Sequence, residues 1–495
     1  MHNIKDYFAG GKKLGFLAVA FSARATGESA WLLLGLTGMG FALGVQAFWV
    51  VVGELIGVAG AWMLMARRFK RLTDQYDSIT IPDYFESRFR DTGHGLRLIA
   101  AGSLLIFVPI YAGAQVFASG GAFYSFLGWN HYLGAAFGFG IVLIYITQGG
   151  FTAVVWSDVF QGTLMVLGLV VLPIVGLLEI GGVTHVVDSL RSINPDLLSW
   201  HGPAAADASG IVPPNAGAWN TAAIFAVAGL AAIGIGFLGS PQIFVRYISM
   251  KSEKGIVPGT ITAIIWTVFA DSGAVLVGIV GRSLMNDQIA LPDKEAILPM
   301  MADAYLPAFF SGMYIAMVLS AIMSTIDSLL VLASSAAVRD YWQKTKHPDM
   351  SDERLVSTSR TLTLILALLA FAVGIGLLLH NKDKPIFWIV IFGWSGIAAT
   401  FCPTMILSLY WSRLTANGAK CAMIAGFLGV PIFSFAIGPL LKSMGLNDIA
   451  GYLAALDVLL PSFLIGFTVA IVVSLLDKKG QAKLVGVKED LKKAA

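Results

Sequence analysis

The sequence predicts an all-α polytopic membrane protein, and three observations carry that prediction. Of its 495 residues 57% are hydrophobic and only 13% charged, roughly half the charged fraction of an ordinary soluble domain. Apolar stretches long enough to cross a hydrocarbon core of about 30 Å recur along the chain. Lys and Arg gather in alternate connecting segments, the asymmetry that orients membrane proteins. The 54 glycines suit helices that pack through small residues. A water-soluble globule is excluded, and 33 basic against 30 acidic residues make no nucleic-acid surface. Cys402 and Cys421 lack CxxC spacing and read as packing residues.

Twelve spans follow in order, near 14–43, 45–66, 97–127, 131–148, 150–180, 219–246, 255–282, 305–338, 356–380, 385–411, 417–441 and 451–476. Each must be helical, because in lipid no water satisfies the backbone and barrel-type alternation is missing. The first exceeds a signal-peptide core and has no small-residue cleavage site, so it is expected to stay. With the N-terminus inside, 26 of the 33 Lys and Arg fall on the cytoplasmic side, including Arg67, Arg68, Arg246, Lys251 and Arg339. Both termini are then cytoplasmic, with 1–13 leading in and 477–495 as a tail. The external segment 181–218, with Pro203, Pro213, Pro214 and Asn215, reads as irregular.

Two spans are interrupted near their middles. The first is broken within Ser22-Ala23-Arg24-Ala25-Thr26-Gly27-Glu28-Ser29-Ala30, where unwinding is expected at Thr26-Gly27. The sixth is broken within Ile233-Gly234-Ile235-Gly236-Phe237-Leu238-Gly239-Ser240-Pro241. Breaks five spans apart lie in halves of opposite orientation, which predicts inverted five-helix repeats over 14–180 and 219–411, followed by two further helices in 412–476. Broken helix ends present carbonyls and amides near the bilayer midplane, suited to a cation and an anionic group.

An ionisable side chain at bilayer depth is a functional candidate by default, and here these are Arg24, Glu28, Glu54, Asp158, Asp271 and Asp327. Arg24 and Glu28, four apart, share a helix face if that turn stays wound; Glu54 and Asp271 are equally eligible partners for Arg24. Glu28, placed in the break, is a candidate to bind a substrate ammonium group or carry a proton. On the eighth span Ser324 and Thr325 precede Asp327 and Ser328, and two adjacent hydroxyls are hard ligands suited to a monovalent cation released in every cycle. The seven histidines show no metal-ligand spacing.

These residues resemble the sodium:solute symporter family, most closely its sodium/proline branch. The matching stretches are Asp6-Tyr7-Phe8-Ala9-Gly10-Gly11, Ser29-Ala30-Trp31-Leu32-Leu33-Leu34-Gly35-Leu36, Ile81-Pro82-Asp83-Tyr84-Phe85, Gly149 through Asp158, Met323-Ser324-Thr325 and Trp411-Ser412-Arg413. The resemblance implies a leucine-transporter-type fold of two inverted five-helix repeats. It implies a sodium site from backbone carbonyls of Ala25, Glu28 and Ala321 with the hydroxyls of Ser324 and Thr325, and a second cation or proton site at Asp158, Asp327 and Ser328. It implies a solute site at Thr26, Gly27, Ser29, Ala30, Tyr111, Ile233, Phe237 and Pro241. Several positions depart from the pattern. Sodium/proline symporters carry an aspartate where Gly27 stands and have neither Arg24 nor Glu28; Phe237 replaces a usual tyrosine and Ile233 a usual tryptophan. The family's extra first helix is also missing ahead of the first core span.

The expectation is therefore a cell-membrane symporter, not an enzyme, that moves Na⁺ with a small organic solute, an amino acid such as proline or a similar zwitterion. One alternative is a proton-coupled carrier (H⁺ through Glu28, Asp158 and Asp327). Another is a transporter-like sensor, disfavoured by the absence of kinase or phosphate-loop motifs and by a tail of about 19 residues.

Overall fold

A computed structural model describes residues 10–146, 151–203, 219–381 and 385–495. The expectations for Asp6 to Ala9, Gly149, Gly150, Pro213, Pro214 and Asn215 lie outside the described residues. The helices that position the site are α1 (Phe16–Glu28), α2 (Thr37–Leu43), α3 (Phe48–Ala59), α4 (Ile81–Phe89), α5 (Gly95–Leu127), α6 (Phe151–Ile180), α7 (Thr221–Ala232), α8 (Pro241–Ser249), α9 (Ile256–Met285), α10 (Ala308–Ser334), α11 (Asp352–Asn381), α12 (Ile386–Tyr410), α13 (Ala416–Ile432), α14 (Leu459–Leu476) and α15 (Val487–Ala494). Among the described residues ten helices are long and apolar enough to cross a membrane. That count differs from the twelve expected spans for local reasons. The stretch Trp31–Gln75 is taken as one although Gly44 turns the chain with φ +60, the half-helix α1 is short, and the helix beginning at His131 is shorter than the rest.

Both interruptions are present, but the first lies two residues beyond the expected place. α1 stays wound through Thr26, Gly27 and Glu28, and the break falls at Ser29, with φ +70 and ψ −166. That backbone region is open to glycine and strained for other residues, at a cost of about 1–3 kcal/mol, so something must hold it. Gln115 on α5 does: its Oε1 accepts the Ala30 amide at 3.1 Å and its Nε2 donates to Ser29 Oγ at 3.2 Å. Gly27 marked the weak point by propensity, whereas a side chain 86 residues away fixed the break. In the second interruption α7 runs into a 3₁₀ segment, Ile233–Leu238, and α8 starts afresh with Pro241 at its first turn, where a missing N–H costs nothing.

Other expectations are corrected more simply. The 181–218 segment is not irregular throughout, since Val183–Ile193 forms a helix. The last span starts at Leu459, because Asp457, at φ +60, separates it from a short helix, Asn447–Leu456. Arg246, expected in a basic loop, is only 1% exposed inside the bundle.

α1 packs against α6, α8, α9 and α10, while α3 and α12 pack on the 3₁₀ segment. The α3 contact is backbone on backbone: a Cβ on Gly53 or Gly57 would collide with the carbonyls of Ala231 and Gly234. This is the close approach that small residues allow in membranes. α5 packs along α11, and α12 is backed by α13 and α14.

At the end where the basic segments gather, Thr80 caps α4 by accepting the Asp83 amide at 3.2 Å. Asp83 takes Arg97 at 2.7 Å and Arg339 at 3.1 Å, and Asp340 takes the same two arginines at 3.1 Å each. This network ties α4, α5 and the extension of α10 together. Burial alone would raise the Asp83 carboxyl, but the Arg339 and Arg97 guanidiniums outweigh it and hold the group below the usual carboxylate range. α15 docks alongside, with Asp490 accepting from Gln75 at 2.6 Å, Tyr76 at 2.7 Å and Arg90 at 3.0 Å.

Candidate ion and solute site

Because α1 ends at Glu28, the carbonyls of Ala25, Thr26, Gly27 and Glu28 are its last four, the set that a helix C-terminus leaves without an onward turn. Two of the expected sodium ligands, Ala25 and Glu28, belong to that set. Facing it on α10, Ser324 and Thr325 are buried, as is Ala321. Thr325 Oγ1 donates to the Thr26 carbonyl at 3.4 Å, and Ser324 Oγ donates to Asp158 Oδ1 at 2.6 Å. The hydroxyl pair therefore points at α1 and α6 rather than at lipid.

At 100° per residue, positions 22 and 26 share one face of α1, while 24 and 28 share a face about 200° away. Each face receives a guanidinium. On the first, Arg246 reaches in from α8. Its Nη2 donates to Thr26 Oγ1 at 2.5 Å, Ser328 Oγ at 2.7 Å and Asp158 Oδ2 at 3.2 Å, and its Nε donates to Ser22 Oγ at 2.9 Å. Ser22 also donates to Asp158 Oδ2 at 2.5 Å. The expected second cation or proton site, Asp158 with Asp327 and Ser328, is thus assembled around the protein's own cation. Ser328 Oγ donates to Asp327 Oδ1 at 3.3 Å, while Asp327 Oδ2 is buried without a partner.

On the opposite face Arg24 pairs with all three eligible acids. Its Nη2 meets Glu28, Glu54 Oε2 at 3.0 Å and Asp271 Oδ2 at 3.2 Å. One carboxylate oxygen from each of Glu28, Glu54 and Asp271 lies within 4.8 Å of the other two.

The expected solute residues divide between these faces. Phe237 closes on Gly27, where a Cβ would stand 2.7 Å from its ring; it also packs on Trp394 at 5.1 Å and beneath the Arg24 guanidinium at 4.6 Å. The Ile233 carbonyl accepts Trp394 Nε1 at 3.0 Å. Ser29 and Ala30 are engaged by Gln115, one turn along α5 from Tyr111, which is buried. Thr26 belongs instead with Arg246. Pro241 lines a cavity with Arg246, Ser328, Thr80 and Asp340. Sequence reasoning missed Arg246, Gln115, Ser22 and Trp394. Only Arg246 left a signal, a lone arginine within one turn of the end of an apolar span.

Two interrupted helices, α1 ending at Ser29 and the α7–α8 pair joined through the 3₁₀ segment Ile233–Leu238, with α10 hydroxyls turned toward α1 and α6, are the arrangement of a carrier of the leucine-transporter type. The fold matches a Na⁺-coupled sialic acid symporter solved in its substrate-bound outward-open state, with TM-score 0.74, 17% identity and coverage of 95% of this chain and 92% of that one. It also matches MHP1, a nucleobase-cation-symport-1 family transporter in a closed conformation, with TM-score 0.51, 12% identity and coverage of 98% and 99%.

The chain belongs to the sodium:solute symporter family, whose model matches residues 7–426. It is 31% identical to the osmoregulated proline transporter OpuE of Bacillus subtilis, over 99% of this chain and 94% of the relative. It is 33% identical to the high-affinity proline transporter PutP of the same organism, over 87% of each, and 30% identical to the sodium/proline symporter of Escherichia coli, over 97% and 90%. It is a multi-pass membrane transporter, not an enzyme.

Proposed function

We propose that this protein couples inward movement of Na⁺ to uptake of a small organic solute, an amino acid such as proline or a similar zwitterion, by alternating access across the cell membrane, with both termini cytoplasmic. In this reading Na⁺ docks between α1 and α10, on the carbonyls of Ala25, Glu28 and Ala321 and the hydroxyls of Ser324 and Thr325. It stabilises the outward-open state, and solute then favours occlusion and inward opening. The repeats 14–180 and 219–411 supply the two moving halves, and 412–476 adds two flanking helices. The single observation that carries the reading is the orientation of the α10 hydroxyls, Thr325 on the Thr26 carbonyl at 3.4 Å and Ser324 on Asp158 at 2.6 Å. Ser324 gives up that contact to turn its oxygen toward an ion. A second ion at Asp158, Asp327 and Ser328 has to displace the Arg246 guanidinium. Coupling is reciprocal: the ion raises solute affinity by the factor through which solute raises ion affinity.

The test is radiolabelled uptake into proteoliposomes from a panel of amino acids and small carboxylates, with and without a sodium gradient. Proline uptake that needs inward sodium supports the reading; uptake indifferent to sodium removes it. A second reading, proton coupling through Glu28, Asp158 and Asp327, draws on the unpartnered Asp327 Oδ2. Sodium-free uptake driven by a pH gradient would select it.

A further inference from the structure

At the basic end of the bundle a groove opens between the continuation of α3 and the start of α9. α3 runs on through a π-helical turn, Gly60–Met65, into the helix Ala66–Gln75. One wall of the groove is Met63 and Leu64, 64% and 65% exposed, and the other is the stripe Val257, Ile261 and Ile264 on one face of α9. Apolar side chains so exposed at the ends of two spans face lipid. Trp62 also lines the groove and packs so closely on α9 that a Cβ on Gly259 would collide with its ring. The cavity measures about 650 Å³, and the stripe from 257 to 264 runs about 10 Å into the apolar layer. Two arginines stand at its mouth. Arg67 is exposed and makes no ion pair among the described residues. Arg68 is half-buried and already oriented: its guanidinium lies 4.7 Å over the Tyr410 ring, and its Nη1 donates to the Leu409 carbonyl at 3.4 Å. Tyr410 is fixed in turn by donating its hydroxyl to the Leu64 carbonyl at 2.6 Å. The Nε–Nη2 side of Arg68, turned away from Cδ, is thereby left as an unused bidentate edge. Of the nearby acids, Glu253 is taken by Arg71 at 2.6 Å, and Ala495 brings one terminal carboxylate to the cavity, so positive charge is in excess at the mouth.

We propose that this groove binds an anionic phospholipid, its phosphate on the Arg68 edge and Arg67, and one acyl chain laid between Met63, Leu64 and the α9 stripe. Basic pockets between helix ends hold lipid head groups in this way. A zwitterionic lipid brings the same chain and phosphate, but its ammonium offsets the charge that the arginines read. Inorganic phosphate brings the charge and buries no apolar surface. Each arginine near the membrane surface is worth about fivefold in affinity for an anionic lipid. The groove shares no lining residue with the candidate ion and solute positions, and the assignment does not depend on which solute is carried.

The experiment uses the full chain, delipidated in detergent, with Tm followed as dioleoyl phosphatidylglycerol, dioleoyl phosphatidylcholine or inorganic phosphate is added. Phosphatidylglycerol is expected to raise Tm with a half-saturating concentration about twentyfold below that of phosphatidylcholine, and inorganic phosphate to leave Tm unchanged. The double variant Arg67→Gln/Arg68→Gln should bring the two lipids to within about threefold of each other. Arg67→Gln alone, at an exposed and unpaired position, keeps the test open if the double variant fails to fold, and should remove about fivefold of the preference. Native mass spectrometry should find phosphatidylglycerol retained by the parent and lost from the variants. The inference is overturned if the parent binds both lipids equally, if the folded variants keep the full preference, or if inorganic phosphate raises Tm as phosphatidylglycerol does. Because no step measures uptake, failure here leaves the sodium-coupled reading untouched, and failure of that reading leaves this one standing.

Discussion

A guanidinium lies at each of two opposite faces of α1, its own Arg24 at one and Arg246 from α8 at the other, and the two have different partners. Arg246 sits in a ring of three hydroxyls and one carboxylate, from Ser22, Thr26, Ser328 and Asp158. Arg24 sits among three carboxylates, Glu28, Glu54 and Asp271. Hydroxyls are neutral and reorient at small cost, and the lone carboxylate also accepts from Ser22 and Ser324, at 2.5 and 2.6 Å. A ring of that kind can exchange its cation. Three buried carboxylates cannot lose theirs without leaving uncompensated charge in a medium of low dielectric. In the transport cycle proposed above, the Arg246 face is the one suited to exchanging its cation and the Arg24 face the one suited to staying assembled.

Arg24→Gln gives the largest expected effect. It strands three carboxylates and should cost about 3–5 kcal/mol, read as a large fall in Tm or loss of folded protein in detergent; a variant of unchanged Tm would mean that the acids are neutralised without the arginine and would erase the contrast. Arg246→Gln should cost less, about 2–3 kcal/mol, the scale of hydrogen bonds to one charged group. A loss equal to that of Arg24→Gln in the same thermal assay would show that the hydroxyl ring is no more forgiving than the carboxylate one.

The third arginine cluster, at the basic end, sharpens the comparison because it lies near water. Asp83→Asn there should cost about 2 kcal/mol at neutral pH. The folded Asp83 is held below the ordinary carboxylate range, so its contribution is complete above the unfolded value of about 4 and lost as pH falls through the depressed folded value. Tm curves of parent and variant should therefore run apart at neutral pH and converge only in strong acid; parallel curves down to that range would dissociate Asp83 from the effect. The smallest change is Ser324→Ala, expected to raise the sodium concentration for half-maximal uptake about tenfold, or ~1.4 kcal/mol, with the fold intact. Unchanged sodium dependence would remove this serine from the ion site.

Much of this was legible along the chain. The apolar runs located the helices, because a bilayer demands a length of apolar residues that any stretch either has or lacks. Ile233 to Pro241 announced the second break through its glycines and proline, and the Ser324-Thr325 pair announced the hydroxyls, since both are local properties. The first break was legible only to within two residues. Gly27 has the weaker helix propensity, yet it stays wound, and Ser29 takes the strained conformation because Gln115 from another helix satisfies the groups exposed there.

The sequence by itself determined the class of fold, the two interruptions and the set of charges that must be dealt with inside the membrane. Only the tertiary structure decided which charge meets which. Arg24 had three eligible partners and takes them all, and Arg246, written in the sequence as one more basic residue at a span end, closes on Asp158 88 positions earlier. The reason is physical: a buried charge requires a counter-charge within a few ångströms, but chain order does not say which helices will stand that close.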